Sequence, residues 1–213
     1  TNNKLRKTRY QIMEKKKISL DRFLLVQGWS QGICIALIAM SYGILSTYIA
    51  IYSKDVLNIT TGTGTFFILF ALGLILSRFV GVRALSKGYA IRNATYGVIV
   101  VAVGYLMFAL WQNIYGYYIS AVVIGFGQAS MYPAVQTMFL NMTTNDKRGT
   151  ANATILTSWD LGIGIGIIGG GYVAEHLGGY NSAFMMSAVV SLMSVVFFLL
   201  YAKKAYLRNK IEN

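Results

Sequence analysis

Six stretches of nearly unbroken apolar residues run through this chain, near 23–51, 61–82, 92–112, 116–141, 150–174 and 181–202. Each is long enough to cross about 30 Å of hydrocarbon as a helix. The runs are continuous rather than alternating, which predicts helices and not the strands of a barrel, because a spanning helix satisfies its own backbone polar groups. The pattern therefore predicts an all-α integral membrane protein. It divides the chain into a basic linker over 1–22, a six-helix transmembrane domain over 23–202 and a tail over 203–213.

Charge sharpens this picture. Only 12 % of the residues are charged, against about 25 % in an ordinary soluble domain. The net charge of +12 would suggest nucleic acid in a soluble protein, but its placement argues against that partner. Six spans put 1–22, 78–92, 142–149 and 203–213 on one side, and eighteen of the nineteen Lys and Arg residues lie there; only Lys54 is on the other. An excess of Lys and Arg marks the cytoplasmic face. Both termini are expected there, with the bilayer as partner.

Polar residues inside the apolar runs are the candidate chemistry. Asp160 sits in the middle of the fifth run, and an ionisable group at that depth costs at least about 2.5–3.5 kcal/mol, so it suggests function. On a helix turning about 100° per residue, Gly162, Gly166 and Gly169 share one face, with Asp160 nearly opposite. Small residues on that face suit close packing by another helix. In the first run Gln27 and Gln31 share a face, as do Tyr42 and Ser46; in the fourth, Gln128 and Tyr132 do. Gln31, Tyr42, Ser46, Gln128 and Tyr132 are the candidate lining of a cavity. Pro133, the chain's only proline, removes one backbone bond from the fourth helix and favours a bend there. The third run has almost no inward polar side chain and reads as a lipid-facing support.

The end of the second run is Gly73-Leu-Ile-Leu-Ser77-Arg78-Phe-Val-Gly81-Val-Arg83. It resembles the short loop motif Gly-x-x-x-Asp-Arg-x-Gly-Arg of the major facilitator superfamily, in its second-half copy. Gly73, Arg78, Gly81 and Arg83 match, Ser77 replaces the Asp, and one residue is displaced between the arginines. The Gly125 to Gln136 stretch with Pro133 also resembles the major facilitator pattern, and the Arg148-Gly149 step and the glycine-rich run after Asp160 resemble bacterial efflux-type members. The resemblance implies two inverted three-helix repeats forming the C-terminal half of a carrier, in a bacterial plasma (inner) membrane. It implies secondary active transport of a small molecule by alternating access, directed outward, and the buried position expected of Asp160 makes that carboxylate the candidate for proton coupling. The missing N-terminal six-helix half, or a second copy in a homodimer, is the expected partner. An isolated structural or regulatory module, or an oligomeric channel, is the alternative.

Enzyme chemistry is not expected. His176 is the only histidine, too little for a zinc site. No nucleophile elbow or phosphate-binding glycine loop is present, so neither a metal nor a cofactor is predicted. Cys34, the one cysteine, reads as core filling.

Overall fold

The computed structural model describes residues 25–59, 61–86, 89–144 and 147–210, with side chains omitted over 80–86. The basic linker at 1–22 lies outside the described residues. After a 3-10 turn at Val26–Gly28, the chain forms α1 (Trp29–Asp55), α2 (Gly62–Ser86), α3 (Ala90–Leu110), α4 (Ile114–Asn141), α5 (Arg148–His176) and α6 (Gly179–Phe197). A π-helical turn at Phe198–Ala202 and a short α7 (Lys203–Asn209) continue α6 without a break. Among the described residues, six helical segments are long and apolar enough to cross a membrane, the last running from Gly179 to Asn209. The expected tail thus begins as helix, and only 211–213 of it lie outside the described residues.

Turn chemistry marks the helix ends. Asn113 caps α4 by accepting from the Gly116 amide at 2.8 Å, satisfying a donor the first turn leaves free. Gly178 and Gly179 take φ of +107° and +81° between α5 and α6, a left-handed conformation that side chains resist.

α1 packs along α5 and α6, α4 packs along α2 and α3, and α3 lies against α6 to join the two groups. Glycines set the distances. A Cβ on Gly162 would run into the Ala36 carbonyl and one on Gly166 into the Met40 carbonyl, while Gly43 of α1 faces Ile163 of α5. Gly73 and Gly125 do the same between α2 and α4, against the carbonyls of Val122 and Phe70. Helices in lipid gain no hydrophobic energy by associating, so close backbone approach and hydrogen bonds must hold them. Such bonds are present: Ser41 Oγ donates to the Ser187 carbonyl at 2.8 Å, and Asn93 Nδ2 donates to the Ser130 carbonyl at 3.2 Å.

Three expectations are corrected here. The packed glycine column continues through Gly170, beside Ile44, and not through Gly169, which a Cβ would bring only to the Met186 side-chain end at 3.3 Å. The contact follows the row of every fourth residue, the ridge that helices interdigitate. α3 is more than a lipid-facing support: it buries Asn93 and Tyr105 while Tyr96, Ile99 and Val103 face outward. The motif at the end of the second run is not a loop, because α2 stays helical through Gly73, Arg78, Gly81 and Arg83 to Ser86. The side chain of Arg83 falls outside the described residues.

Candidate functional site

The two packed groups meet along a seam where α1 approaches α2 and α4 approaches α5 only briefly. Aromatic side chains bridge it. The Trp159 ring of α5 lies 5.8 Å from Tyr42 of α1 and 5.8 Å from Tyr132 of α4, edge-on. Tyr42 also reaches Phe70 of α2, at 6.1 Å between centroids. Four helices thus contribute to one aromatic belt, held at separations where ring quadrupoles attract. Tyr42, Tyr132 and Trp159 are each half-buried, so their remaining faces are open.

Asp160 follows Trp159 directly and is exposed. It lies about 18 Å along a helix about 42 Å long, at 1.5 Å per residue, so it sits near the middle of that span. Its carboxylate is within electrostatic reach of Tyr132, and among the described residues it has no ion-pair partner. Its position one residue from the belt follows from helix geometry: the Gly162 and Gly166 face turns toward α1, which aims Asp160 away from that contact.

One turn before Tyr132, Gln128 is nearly buried and its Oε1 has no partner within the protein. Tyr105 of α3, fully buried, also has an unpartnered hydroxyl and lies within electrostatic reach of Tyr42. Stranding a buried acceptor costs about 1–3 kcal/mol, so both atoms ask for a donor or acceptor from elsewhere.

The other sequence-predicted residues divide. Ser46 is half-buried and only bonds back to the Gly43 carbonyl at 3.4 Å. Gln31 does not join the seam. It is fully buried, donates from Nε2 to the Ala202 carbonyl at 3.0 Å and accepts from Ser30 Oγ at 2.9 Å. Its amide nitrogen holds the π turn to α1, and its amide oxygen is taken up by the neighbouring Ser30 of the same helix. Gln27, its expected companion, is exposed. Pro133 lies within α4, which remains helical around it. Ser77, at the motif's Asp position, is buried, with its hydroxyl 2.7 Å from that of Ser130 on α4, so a neutral bond joins the two helices there. Arg78 beside it is exposed.

Sequence reasoning missed Trp159. Its neighbour Asp160 drew attention by charge, whereas a tryptophan in an apolar run carries no such signal. The useful clue is its place three residues before Gly162 in a helix already assigned a packing face. Among the described residues, no cluster of His, Cys, Asp or Glu is arranged to hold a metal ion.

The comparison with known proteins agrees with this architecture. A family model described as Major Facilitator Superfamily matches residues 31–213, nearly the whole chain. No curated protein matches it significantly. Six membrane-length helices around an aromatic seam, and a family match across all of them, lead to one conclusion: the chain belongs to the Major Facilitator Superfamily, whose members are transporters rather than enzymes.

Proposed function

We propose that this chain is the C-terminal six-helix half of a secondary transporter that moves a small molecule by alternating access, with Asp160 exchanging a proton. The observation that carries the reading is the unpaired Asp160 carboxylate beside the Trp159–Tyr42–Tyr132 belt, near the middle of its span. A charge there is tolerated when it faces water or a partner, and transporter sites lie near the bilayer midplane between two halves. Aromatic faces attract cations and the carboxylate does so directly. An amphiphilic organic cation is therefore the substrate class this site fits, exported against an entering proton.

Two further features support the reading. α1 on α5 is matched by α4 on α2, and α1 on α6 by α4 on α3. Each helix is thus exchanged with the one three places along, as two inverted three-helix repeats require. In addition, α2 and α5 are the least covered spans, each with 28 % of its apolar window buried. Their outer faces, with Leu72, Phe79, Leu156 and Leu161 exposed, receive the N-terminal six-helix half, or a second copy in a homodimer. The excess of Lys and Arg on one side of the spans supports both termini being cytoplasmic.

The test is proton movement in vesicles containing the protein, followed with an internal pH dye while amphiphilic cations, sugars and organic acids are offered. Substrate-linked proton flux is expected for amphiphilic cations. In Asp160→Asn, uphill accumulation disappears while downhill exchange persists. Uphill accumulation by that variant at the native rate refutes the coupling role.

A further inference from the structure

A second concave region lies at the end of the bundle that carries the excess of Lys and Arg. The first two turns of α3, one face of α7 and Lys210 just past it line an open cavity of about 520 Å³, whose walls include Arg92, Tyr96, Lys203, Tyr206, Leu207 and Lys210. Three cations converge on it, and no described carboxylate lines it. The Arg92 guanidinium stands 5.6 Å from the Tyr96 ring centroid, which orients it without neutralising it. Tyr206 forms the buried floor, fixed because its hydroxyl accepts from Asn141 Nδ2 at 3.0 Å. α3 starts here without a side-chain cap, so its first amides add to the positive field of the three side chains.

The cations owe their placement to the π turn. Phe198–Ala202 changes the helical phase just before α7, and Gln31 holds its last carbonyl. Lys203 and Tyr206 then share one face of α7, and Lys210 follows just past its end.

Location identifies the ligand. The cavity sits where the spanning segments Ala90–Leu110 and Gly179–Asn209 begin and end, level with lipid headgroups. From it an exposed stripe of Tyr96, Ile99 and Val103 runs down α3 toward the membrane centre, with the spacing of one helix face. A phosphate from solution would use the cations and not the stripe. A phospholipid would use both. We propose that this cavity binds the phosphate headgroup of an anionic phospholipid, with an acyl chain along the α3 stripe. Basic pockets between membrane helices are suited to such headgroups.

The experiment compares two charge-matched pairs in the same C-terminal segment, all four side chains exposed. Lys203→Gln with Lys210→Gln removes cations from the cavity; Lys204→Gln with Arg208→Gln removes cations outside it. The protein, exchanged into phosphatidylcholine containing a titrated fraction of phosphatidylglycerol, is monitored for bound lipid by native mass spectrometry. About fivefold weaker retention is expected per cavity cation removed, hence about 25-fold for the first pair, with the second pair close to wild type. Equal losses from both pairs would mean diffuse surface attraction and overturn the site. No loss from the first pair overturns it too. Displacement of the lipid by excess inorganic phosphate at wild-type affinity would make it a soluble-anion site and refute the lipid assignment. Unchanged thermal transitions confirm that both pairs are folded.

Discussion

Replacing Gly43 by Ala tests whether backbone contact sets the geometry of the aromatic seam. The added Cβ would stand 2.6 Å from the Ile163 carbonyl oxygen and 3.0 Å from its Cα. Ordinary contact begins near 3.4 Å, so α1 and α5 must separate by about 0.8 Å, the difference between 3.4 and 2.6 Å, at a point where no rotamer can yield. Such overpacking costs about 1–3 kcal/mol. Ala also gains about 1 kcal/mol of helix propensity over Gly, which would mask part of the loss. Gly164→Ala removes that ambiguity, since its Cβ meets nothing within 4 Å and it gains the same propensity. The difference between the two variants isolates the contact. At about 2–4 °C per kcal/mol for a chain of this size, Gly43→Ala should melt about 2–12 °C below Gly164→Ala. Cys34 supplies the assay: it is the only cysteine and is fully buried, so a thiol-reactive dye reports opening of the bundle. The same shift displaces Tyr42 from Trp159, and transport by Gly43→Ala should fall while Gly164→Ala stays active. Equal melting of the two variants would refute the close-contact account.

Three other outcomes follow from the same contacts. Trp159→Ala removes both 5.8 Å ring pairs, each worth about 0.5–1.5 kcal/mol; the substrate concentration for half-maximal transport should rise several-fold, and an unchanged value would place the substrate elsewhere. Gln31→Leu removes the bond to the Ala202 carbonyl and strands the buried Ser30 hydroxyl, costing about 1–3 kcal/mol, whereas Gln27→Leu at an exposed position should leave the melting temperature unchanged. Tyr48→Phe deletes a 2.7 Å bond from the hydroxyl to the Ile167 carbonyl on α5, and a loss of about 0.5–1.5 kcal/mol is expected in the same thermal assay.

The sequence by itself determined that six helices cross a membrane and that one end of the bundle carries nearly all the positive charge. Both follow from local composition: a spanning helix must be apolar over its whole length, and cations are confined to its ends. Asp160 was legible for the same reason, as a charge standing out against hydrocarbon. Which way each helix turns was much less legible. In a soluble protein, contrast between core and water gives a helix a phase; in lipid both faces are apolar, and the phase fades. Gly170 therefore takes the packing place expected of Gly169, and Gln31 turns out to brace a π turn instead of lining a cavity. Trp159 became recognisable only when α1, α4 and α5 brought Tyr42 and Tyr132 against it. Arg92 and Lys203 lie more than a hundred residues apart and are joined in one cavity by the packing of α3 against α6 and by the change of phase at Phe198–Ala202. Composition along the chain decides where helices run; only close packing of glycine-notched backbones decides which side chains meet.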